Sequence, residues 1–405
     1  MNHTTVADSN LDSSETRSLD VSAQEAAKAS CRTGKKVNVL VVGQTPPPLV
    51  GQWIMIEKML NGNYSDVELF HVRMAFSNAV NQIGQFSIAK PIHLIAIVMR
   101  IWVARFRHKI DVMYYPPAGP HRVPVCRDIM ILLMTRWLFR SVVFHFHAGG
   151  VSDIYPKLPW LIKPFFRLAY YGAEIGIRLT PMNPDDSHAL RSRQDFVIPN
   201  GIDDFYPEFV RQRPVGDLPE ILFVGMVCEA KGVFVLLEAC RLLKDRGLKF
   251  RCRLVGSPDS PETTDRINQF IDEHGLQDHV IIAGVLRDEK KWAAFAAADI
   301  FCFPTHYQSE SFGLVAIEAM QFELPLVATD WRGISTIVED GESGFLVPVQ
   351  DSQAVADKIA LLIEDPDLAK QMGVRGREHF LAKYTIEKFY ENIESAFCTA
   401  ARKSR

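Results

Sequence analysis

Two acidic residues, Glu310 and Glu318, stand on either side of the start of a predicted helix, with seven residues between them. The first turn of such a helix leaves N–H groups unpaired, here those of Phe312, Gly313 and Leu314, and they attract an anion. A carboxylate binds phosphate poorly but accepts hydrogen bonds from sugar hydroxyls. The arrangement therefore favours a ligand with sugars on both sides of a diphosphate, a nucleotide sugar. Taken singly, the two acids could equally be a helix cap and a surface residue.

A lysine in the segment 224–232, VGMVCEAKG, could supply a cation for that diphosphate. The segment is typical of a strand end, a loop and a helix start. Gly225 follows the strand, Lys231 stands where an ammonium group could neutralise a departing phosphate, and Gly232 permits a tight helix start. The plain alternative is a solvated surface lysine.

Two histidines lie near the end of the predicted strand 141–147. By the two-residue period of a strand, His145 and His147 share one face with Val143. His147 is nearest the carboxyl end, which faces ligands in open α/β sheets, so its imidazole or its backbone carbonyl is expected near a reacting group. A structural role in the core is the alternative.

A proline- and glycine-rich loop, GQTPPPLVGQ, follows the first predicted strand at 43–52. Gly51 would let the backbone approach a ligand closely. An ordinary strand-to-helix turn explains the same residues.

The elements that must position these residues alternate as short apolar strands and longer amphipathic segments, which predicts βαβ units with parallel sheets. The first series of strands is predicted at 36–43, 66–72, 111–115, 141–147, 175–180 and 195–200, and the second at 220–225, 250–256, 279–285, 299–304 and 324–330. The fold class is therefore α/β, with two domains that leave a cleft between them.

The length of 405 residues allows two domains of ordinary size. The predicted divisions are a disordered tail at 1–34, an acceptor domain at 35–203, a linker at 204–218, a donor domain at 219–384 and a C-terminal helix at 385–405. The tail is polar and lacks the apolar core of a signal peptide.

Composition excludes some partners and compartments. A formal net charge of −3 gives no electrostatic footprint for nucleic acid. Seven cysteines without paired spacing favour reduced thiols, and hence a cytoplasmic protein. The only pair of aspartates one residue apart, Asp365 and Asp367, flanks Pro366 in a helix break, so we expect no catalytic metal.

Three segments of the first domain combine large apolar residues, tryptophans and arginines, namely 91–109, 126–140 and 158–172. Basic amphipathic helices of this kind lie at anionic membrane surfaces, although each helix alone could simply face the core. None is an uncharged run of membrane-spanning length. We expect a peripheral enzyme at the inner face of a membrane, with a lipid-linked or polysaccharide acceptor.

The stretch 305–348 resembles the donor site of the retaining GT-B glycosyltransferases of the family-four, or group 1, type. The resemblance rests on Glu310 and Glu318, Ser311-Phe312-Gly313-Leu314, Glu318-Ala319-Met320, Pro325, Val327 and 341–348. It implies two Rossmann-like domains facing each other across a cleft, and metal-independent transfer of a sugar from a nucleotide sugar with retention. It further implies a C-terminal helix that crosses back to the first domain.

The resemblance also implies roles for the residues singled out above. The catalytic set is His147, Glu310 and Lys231, and the donor-binding set is Gly51, Gly225, Lys231, Ser311, Phe312, Gly313, Leu314 and Glu318. Two departures stand out: Met226 replaces the family's arginine, and the loop before the first helix has Gly51 alone where two adjacent glycines are usual. Arg178, Arg287 or Arg332 could supply the missing cation.

Two other functions remain open at this point. A nucleotide-sugar epimerase would use the same donor and need no acceptor. A non-catalytic sugar-binding relative would fit the change at Met226 and the single Gly51.

Overall fold

The computed structural model describes residues 36–47, 50–74, 89–209 and 217–402. The predicted tail at 1–34 and most of the linker, 210–216, lie outside the described residues, and the domain limits proposed above stay predictions.

The first sheet has six parallel strands in the order β2-β1-β3-β4-β5-β6. They are β1 (Val37–Gly43), β2 (Val67–Arg73), β3 (Val112–Tyr115), β4 (Ser141–Phe146), β5 (Ile175–Arg178) and β6 (Gln194–Val197). All six predicted strands of this half are present. Val143 packs on one face and Phe144 and Phe146 on the other, as the two-residue period predicts.

The second sheet also has six parallel strands, in the order β12-β11-β10-β7-β8-β9. They are β7 (Glu220–Val224), β8 (Arg251–Val255), β9 (Val280–Gly284), β10 (Ile300–Phe303), β11 (Leu326–Thr329) and β12 (Gly344–Val347). The sequence predicted the first five. It missed β12, an edge strand of four residues whose glycine-rich approach resembles a loop.

Helices cover both faces of each sheet. Those before residue 200 are α1 (Gly51–Asn61), α2 (Ala89–Arg107), α3 (Arg122–Thr135), α4 (Lys163–Tyr170) and α5 (Asp186–Ala189). The later helices are α6 (Val233–Asp245), α7 (Pro261–Glu273), α8 (Asp288–Ala297), α9 (Leu314–Gln321), α10 (Ser352–Glu364), α11 (Pro366–Lys383) and α12 (Ile386–Arg402). The helix expected at about Gly313 begins at Leu314.

The first sheet is packed by helices from different parts of the chain. Helices α2, α3 and α4 lie side by side on one face and share one apolar core. On the other face, α1 and the C-terminal helix α12 form a second core, in which Phe397 meets the ring of Tyr114 edge-on at 5.8 Å. The last helix therefore packs on the first sheet, although the chain preceding it belongs to the second half.

The cysteines divide into two states. Cys126, Cys228, Cys240, Cys252 and Cys302 are free thiols. Cys398 is disulfide-bonded, so the prediction of reduced thiols is wrong for this residue. Spacing along the chain did not reveal it because it carries no information on which cysteines meet in space.

Among the described helices, none combines the length and apolar character that a membrane span requires.

Candidate active site

Helix α9 starts at the carboxyl end of β10, in the loop 304–313. Its N-cap, Gly313, has a left-handed backbone with φ of 80°, which glycine adopts without strain. A Cβ atom there would lie 3.3 Å from the side chain of Ile334. Glycine thus fixes how the chain enters the helix.

The backbone N–H groups of Phe312, Gly313 and Leu314 donate no hydrogen bond to any described part of the chain. Phe312 is nevertheless buried, and its ring meets that of Tyr384 edge-on. Three unpaired donors at one helix start are available to an anion, as the sequence predicted.

The lysine expected to bind the diphosphate, Lys231, pairs directly with one of the two predicted acids, Glu310. The ammonium group of Lys231 donates to Oε2 of Glu310, and both side chains are largely buried. The Lys231 nitrogen also lies 4.9 Å from the ring centre of Tyr307 and 5.3 Å from that of Phe303. Aromatic faces attract a cation, so these rings hold the ammonium group of Lys231 near the carboxyl end of β10.

Backbone geometry fixes the position of Lys231. The residue ends a short 3-10 helix, Glu229–Lys231, and the next residue, Gly232, is left-handed with φ of 80°. A Cβ atom on Gly232 would lie 2.0 Å from the carbonyl oxygen of Pro304. The amide of His306 donates to the carbonyl of Ala230 at 2.8 Å, which joins this loop to the one after β10.

Glu318 lies inside α9 and is only 8% exposed. Its Oε1 accepts a hydrogen bond from Lys291 of α8 at 2.6 Å, a partner that sequence reasoning missed. Its Oε2 is buried and has no partner in the described structure. A buried carboxylate oxygen without a donor is costly, which makes this atom a candidate acceptor for a ligand hydroxyl.

His147 follows β4 and is buried. Its Nε2 lies 3.1 Å from the hydroxyl of Tyr114, and its ring is 3.9 Å from that of His145. Burial lowers the pKa of His147 to about 3, so the imidazole is neutral at pH 7. The backbone carbonyl, in contrast, accepts a hydrogen bond from the Ser311 hydroxyl at 2.5 Å.

Hydrogen bonds from Ser311 join the two halves of the molecule beside α9. In addition to its hydroxyl bond to His147, its carbonyl accepts from Nδ2 of Asn183 at 2.9 Å. Oδ1 of Asn183 in turn accepts from the amide and the hydroxyl of Thr180, both at 2.8 Å. The sequence singled out Ser311 but gave no signal for Asn183, whose partner is 128 residues away.

Gly51 and Gly225, the two loop glycines predicted to bind the donor, lie in different parts of the structure. A Cβ atom on Gly51, the first residue of α1, would lie 3.4 Å from Cδ1 of Leu314, the first residue of α9. The starts of α1 and α9 therefore face each other across the two halves. Gly225 follows β7, and its amide donates to the carbonyl of Val255 at 2.9 Å.

Met226, at the position of the family's arginine, is 42% exposed. The guanidinium of Arg178 forms ion pairs with the carboxylates of Asp195 and Asp185, the latter at 3.8 Å. The guanidinium of Arg332 lies over the ring of Trp331 at 5.5 Å.

Three or more His, Cys, Asp and Glu side chains in a metal-binding arrangement do not occur within the described ranges. Independence of a metal remains a prediction.

Residues 207–379 match the sequence model of a family described as Glycosyl transferases group 1. This C-terminal part of the chain therefore belongs to the family. The match covers β7 to β12 and contains every predicted site residue of the chain except Gly51 and His147.

Two curated relatives show what the chain is similar to. It is 32% identical over 170 residues to an alpha-D-kanosaminyltransferase of Streptomyces kanamyceticus. The aligned residues cover 42% of this chain and 43% of the relative. It is 28% identical over 183 residues to the capsular polysaccharide biosynthesis glycosyltransferase CapM of Staphylococcus aureus, with 45% and 46% covered. The chain thus spans less than half the length of these relatives.

The fold is shown by solved structures. The crystal structure of Anabaena HepE in complex with UDP-glucose aligns with a TM-score of 0.64 and 18% identity, covering 88% of this chain and 98% of that one. Together with the two six-stranded parallel sheets, this likeness establishes the expected α/β GT-B fold of two Rossmann-like domains.

Proposed function

We propose that this chain is a glycosyltransferase that moves a sugar from a nucleotide sugar to a carbohydrate or lipid-linked acceptor, in polysaccharide or glycoconjugate biosynthesis. The observation that carries the proposal is the buried pair of Lys231 and Glu310 beside the unpaired amides at the start of α9. Membership of the family supports the same reaction class. Its relatives named for glycosyl transfer, and the HepE structure with UDP-glucose, support a nucleotide-sugar donor.

Each polar group near α9 has a role in this proposal. Lys231 and the amides of Phe312, Gly313 and Leu314 hold the diphosphate and stabilise its charge as it leaves. Glu310 accepts hydrogen bonds from hydroxyls of the transferred sugar. The unpartnered Oε2 of Glu318 accepts one from a ribose hydroxyl.

Glycines and a backbone carbonyl complete the proposed site. Gly51 and Gly225 let the backbone come close to the donor, and Ser311 ties the site to the first domain through the carbonyl of His147. We place His147 near the anomeric carbon through this carbonyl, because its imidazole is bonded to Tyr114.

The proposed transfer needs no metal and retains the anomeric configuration. The acceptor oxygen bonds to the anomeric carbon on the face from which the diphosphate departs, while the bond from that carbon to the phosphate oxygen breaks. The proton of the acceptor hydroxyl passes to the leaving phosphate oxygen. Lys231 and the helix amides supply the positive charge that a metal would otherwise bring.

A screen of nucleotide sugars by thermal shift, followed by transfer assays in the presence of a chelator, tests this function. We expect one donor to raise the melting temperature by mass action, and transfer to continue without metal. The anomeric configuration of the product is then read by NMR. Loss of transfer with the chelator would refute metal independence. Conversion of the donor into its epimer without an acceptor would refute a transferase, and donor binding without any turnover would indicate a sugar-binding protein.

A further inference from the structure

The outer surface of the helices α2, α3 and α4 is apolar where a surface helix is normally polar. We define the outer face as the large apolar side chains exposed by these helices, by the 3-10 turn Arg136–Leu138 after α3 and by the segment before α4. It contains Ile92, Ile95, Met99, Val103, Phe106, Val123, Met130, Met134, Trp137, Trp160, Leu161, Phe165 and Leu168. These are thirteen of the twenty-one exposed large apolar residues of the described chain, so the exposure is concentrated on one side of one domain.

The outer face is built in stripes of helical period. On α2 the exposed residues recur every three or four positions from Ile92 to Phe106, while Ile97 and Ile101 face the sheet. Each helix is thus apolar on both sides, one for the core and one for a second apolar environment. Contiguous exposed apolar surface of this kind marks a partner or a membrane.

The exposed charges of the helices α2, α3 and α4 have one sign, and beyond these helices Asp111 lies 3.8 Å from Arg140. Helices α2, α3 and α4 contain a single acidic residue, Asp128, which is fully buried, whereas Arg100, Arg107 and Arg167 are exposed. A second copy docked symmetrically on the same face would bring arginines against arginines. An anionic bilayer satisfies both the apolar stripes and the basic rim, and Trp137 and Trp160 suit the membrane interface.

A cavity of about 420 Å³ opens beside the outer face, at the ends of α3 and α4. Trp137 and Leu168 of the outer face line it, together with three arginines, Arg136, Arg140 and Arg193. This clustering of guanidinium groups is suited to phosphoryl oxygens.

Two buried polar atoms on the cavity wall have no partner. Glu174 is 8% exposed; its Oε2 lies 3.2 Å from Arg193, but its Oε1 is unpaired. The hydroxyl of Ser141, on the same wall, is also buried and unpaired. Guanidinium groups beside an unpaired carboxylate and hydroxyl match a phosphate ester that also carries hydroxyls.

We propose that the outer face docks on an anionic lipid bilayer and that the cavity at Arg136, Arg140 and Arg193 seats the phosphate of a lipid head group bearing hydroxyls. Docking itself does not depend on the proposed function. Its consequence for the reaction, access to a lipid-linked acceptor, rests on that function. Helices α2 and α3 follow β2 and β3, so they begin at the sheet edge where the cleft lies, and a docked enzyme would meet a lipid-linked acceptor there.

Sedimentation of the full chain with phosphatidylcholine vesicles, with and without phosphatidylglycerol, tests the docking. We expect binding only to the anionic vesicles. Met99→Ser with Val103→Ser and Phe106→Ser should weaken it at least ~10-fold, because these side chains bury apolar area in the lipid. Arg140→Gln with Arg193→Gln should weaken it about thirtyfold, since each of the two basic residues near such a surface adds about 1 kcal/mol.

The matched control is Arg375→Gln with Leu381→Ser, an exposed basic and an exposed apolar position on α11. It should bind like the unchanged protein. Equal binding to both vesicle types, no binding to either, or full binding by either outer-face variant would overturn the proposal. Binding of glycerol phosphate in solution without vesicle binding would also overturn it, since the site would then serve a free phosphate.

Binding of the nucleotide sugar, measured by thermal shift, distinguishes failure of the docking from failure of the proposed function. Donor binding without vesicle binding would remove the docking alone. Vesicle binding without donor binding would leave the docking in place and remove the transferase.

Discussion

At the scale of single residues, we expect the buried pair of Lys231 and Glu310 to affect both stability and donor binding. Lys231→Met leaves the carboxylate of Glu310 buried without its cation, and removing one partner of a buried pair costs about 3 kcal/mol. Lys231→Met with Glu310→Gln removes both charges and should cost clearly less. Urea unfolding of the single and double variants measures the difference.

Lys231→Met should also reduce sugar transfer by about 100-fold or more, because it removes a cation aimed at the leaving diphosphate. The matched control is Lys244→Met, which removes a lysine of α6 that donates to the carbonyl of His274, outside the proposed site, and should transfer sugar like the unchanged protein. Transfer within a few-fold of the unchanged protein in Lys231→Met would contradict the assigned role.

His145 of β4 and His147, just after it, should make stability depend on pH. Burial lowers the pKa of His147 to about 3 and that of His145 well below its usual range, whereas both titrate near 6.5 when unfolded. Between these values the unfolded chain binds more protons, so acid favours unfolding. Each histidine should lower the free energy of unfolding by about 1.4 kcal/mol per pH unit as the pH falls from 6.5.

Urea unfolding between pH 7 and pH 4 checks this dependence. His147→Gln should have a shallower slope than the unchanged protein, while His188→Gln, at an exposed position, should leave the slope unchanged. Equal slopes for His147→Gln and the unchanged protein would show that His147 is protonated in the folded state.

The sequence predicted individual residues of the candidate site but did not predict which of them pair with each other. The types and spacing of Glu310, Glu318 and the glycine at α9 indicated the ligand class. The bond between Lys231 and Glu310, residues 79 positions apart, and that between Lys291 and Glu318 depend on how distant strands meet, which a single sequence does not encode locally. Asn183 gave no signal for the same reason.

At the scale of elements, the entry into α9 depends on the left-handed backbone of Gly313. Gly313→Ala should cost about 1 kcal/mol of stability and weaken donor binding about tenfold, because a strained entry turns the unpaired amides away from the diphosphate. Gly172→Ala is the matched control, since Gly172 is also left-handed, with φ of 68°, but has open space around it.

Calorimetric titration with the donor found in the screen and thermal melting of both variants give the two readouts. Gly172→Ala should lose similar stability and keep its affinity for the donor. An equal loss of affinity in both variants would mean that the effect is general and not located at α9.

The elements themselves were largely readable from the sequence. Eleven of the twelve strands follow from short apolar runs that β-branched and aromatic residues dominate. The one strand that was not predicted, β12, begins at Gly344, where a Cβ atom would lie 2.3 Å from the carbonyl oxygen of Leu326. Glycine is needed there for close packing on β11, and in a sequence the same residue is typical of a turn.

At the scale of the whole molecule, the two domains are held together by a helix and by a small polar contact. Helix α12 buries Phe397 and Ile393 against the first sheet, which anchors the end of the chain there. Ser311 bridges the cleft to His147 and Asn183. The polar contact is short and lies beside the proposed donor site, so it is suited to break and reform as the cleft opens.

Asn183→Asp tests whether this contact sets the closure of the cleft. The aspartate has the same shape and still accepts hydrogen bonds from Thr180, but it places an oxygen against the carbonyl of Ser311 where Asn183 donates. We expect the variant to have a larger radius of gyration by small-angle X-ray scattering and a KM for the donor raised about tenfold, because part of the binding energy then closes the cleft. Asn61→Asp, at the exposed end of α1, is the matched control and should behave like the unchanged protein. An unchanged radius of gyration together with an unchanged KM would show that the contact at Ser311 follows closure and does not stabilise it.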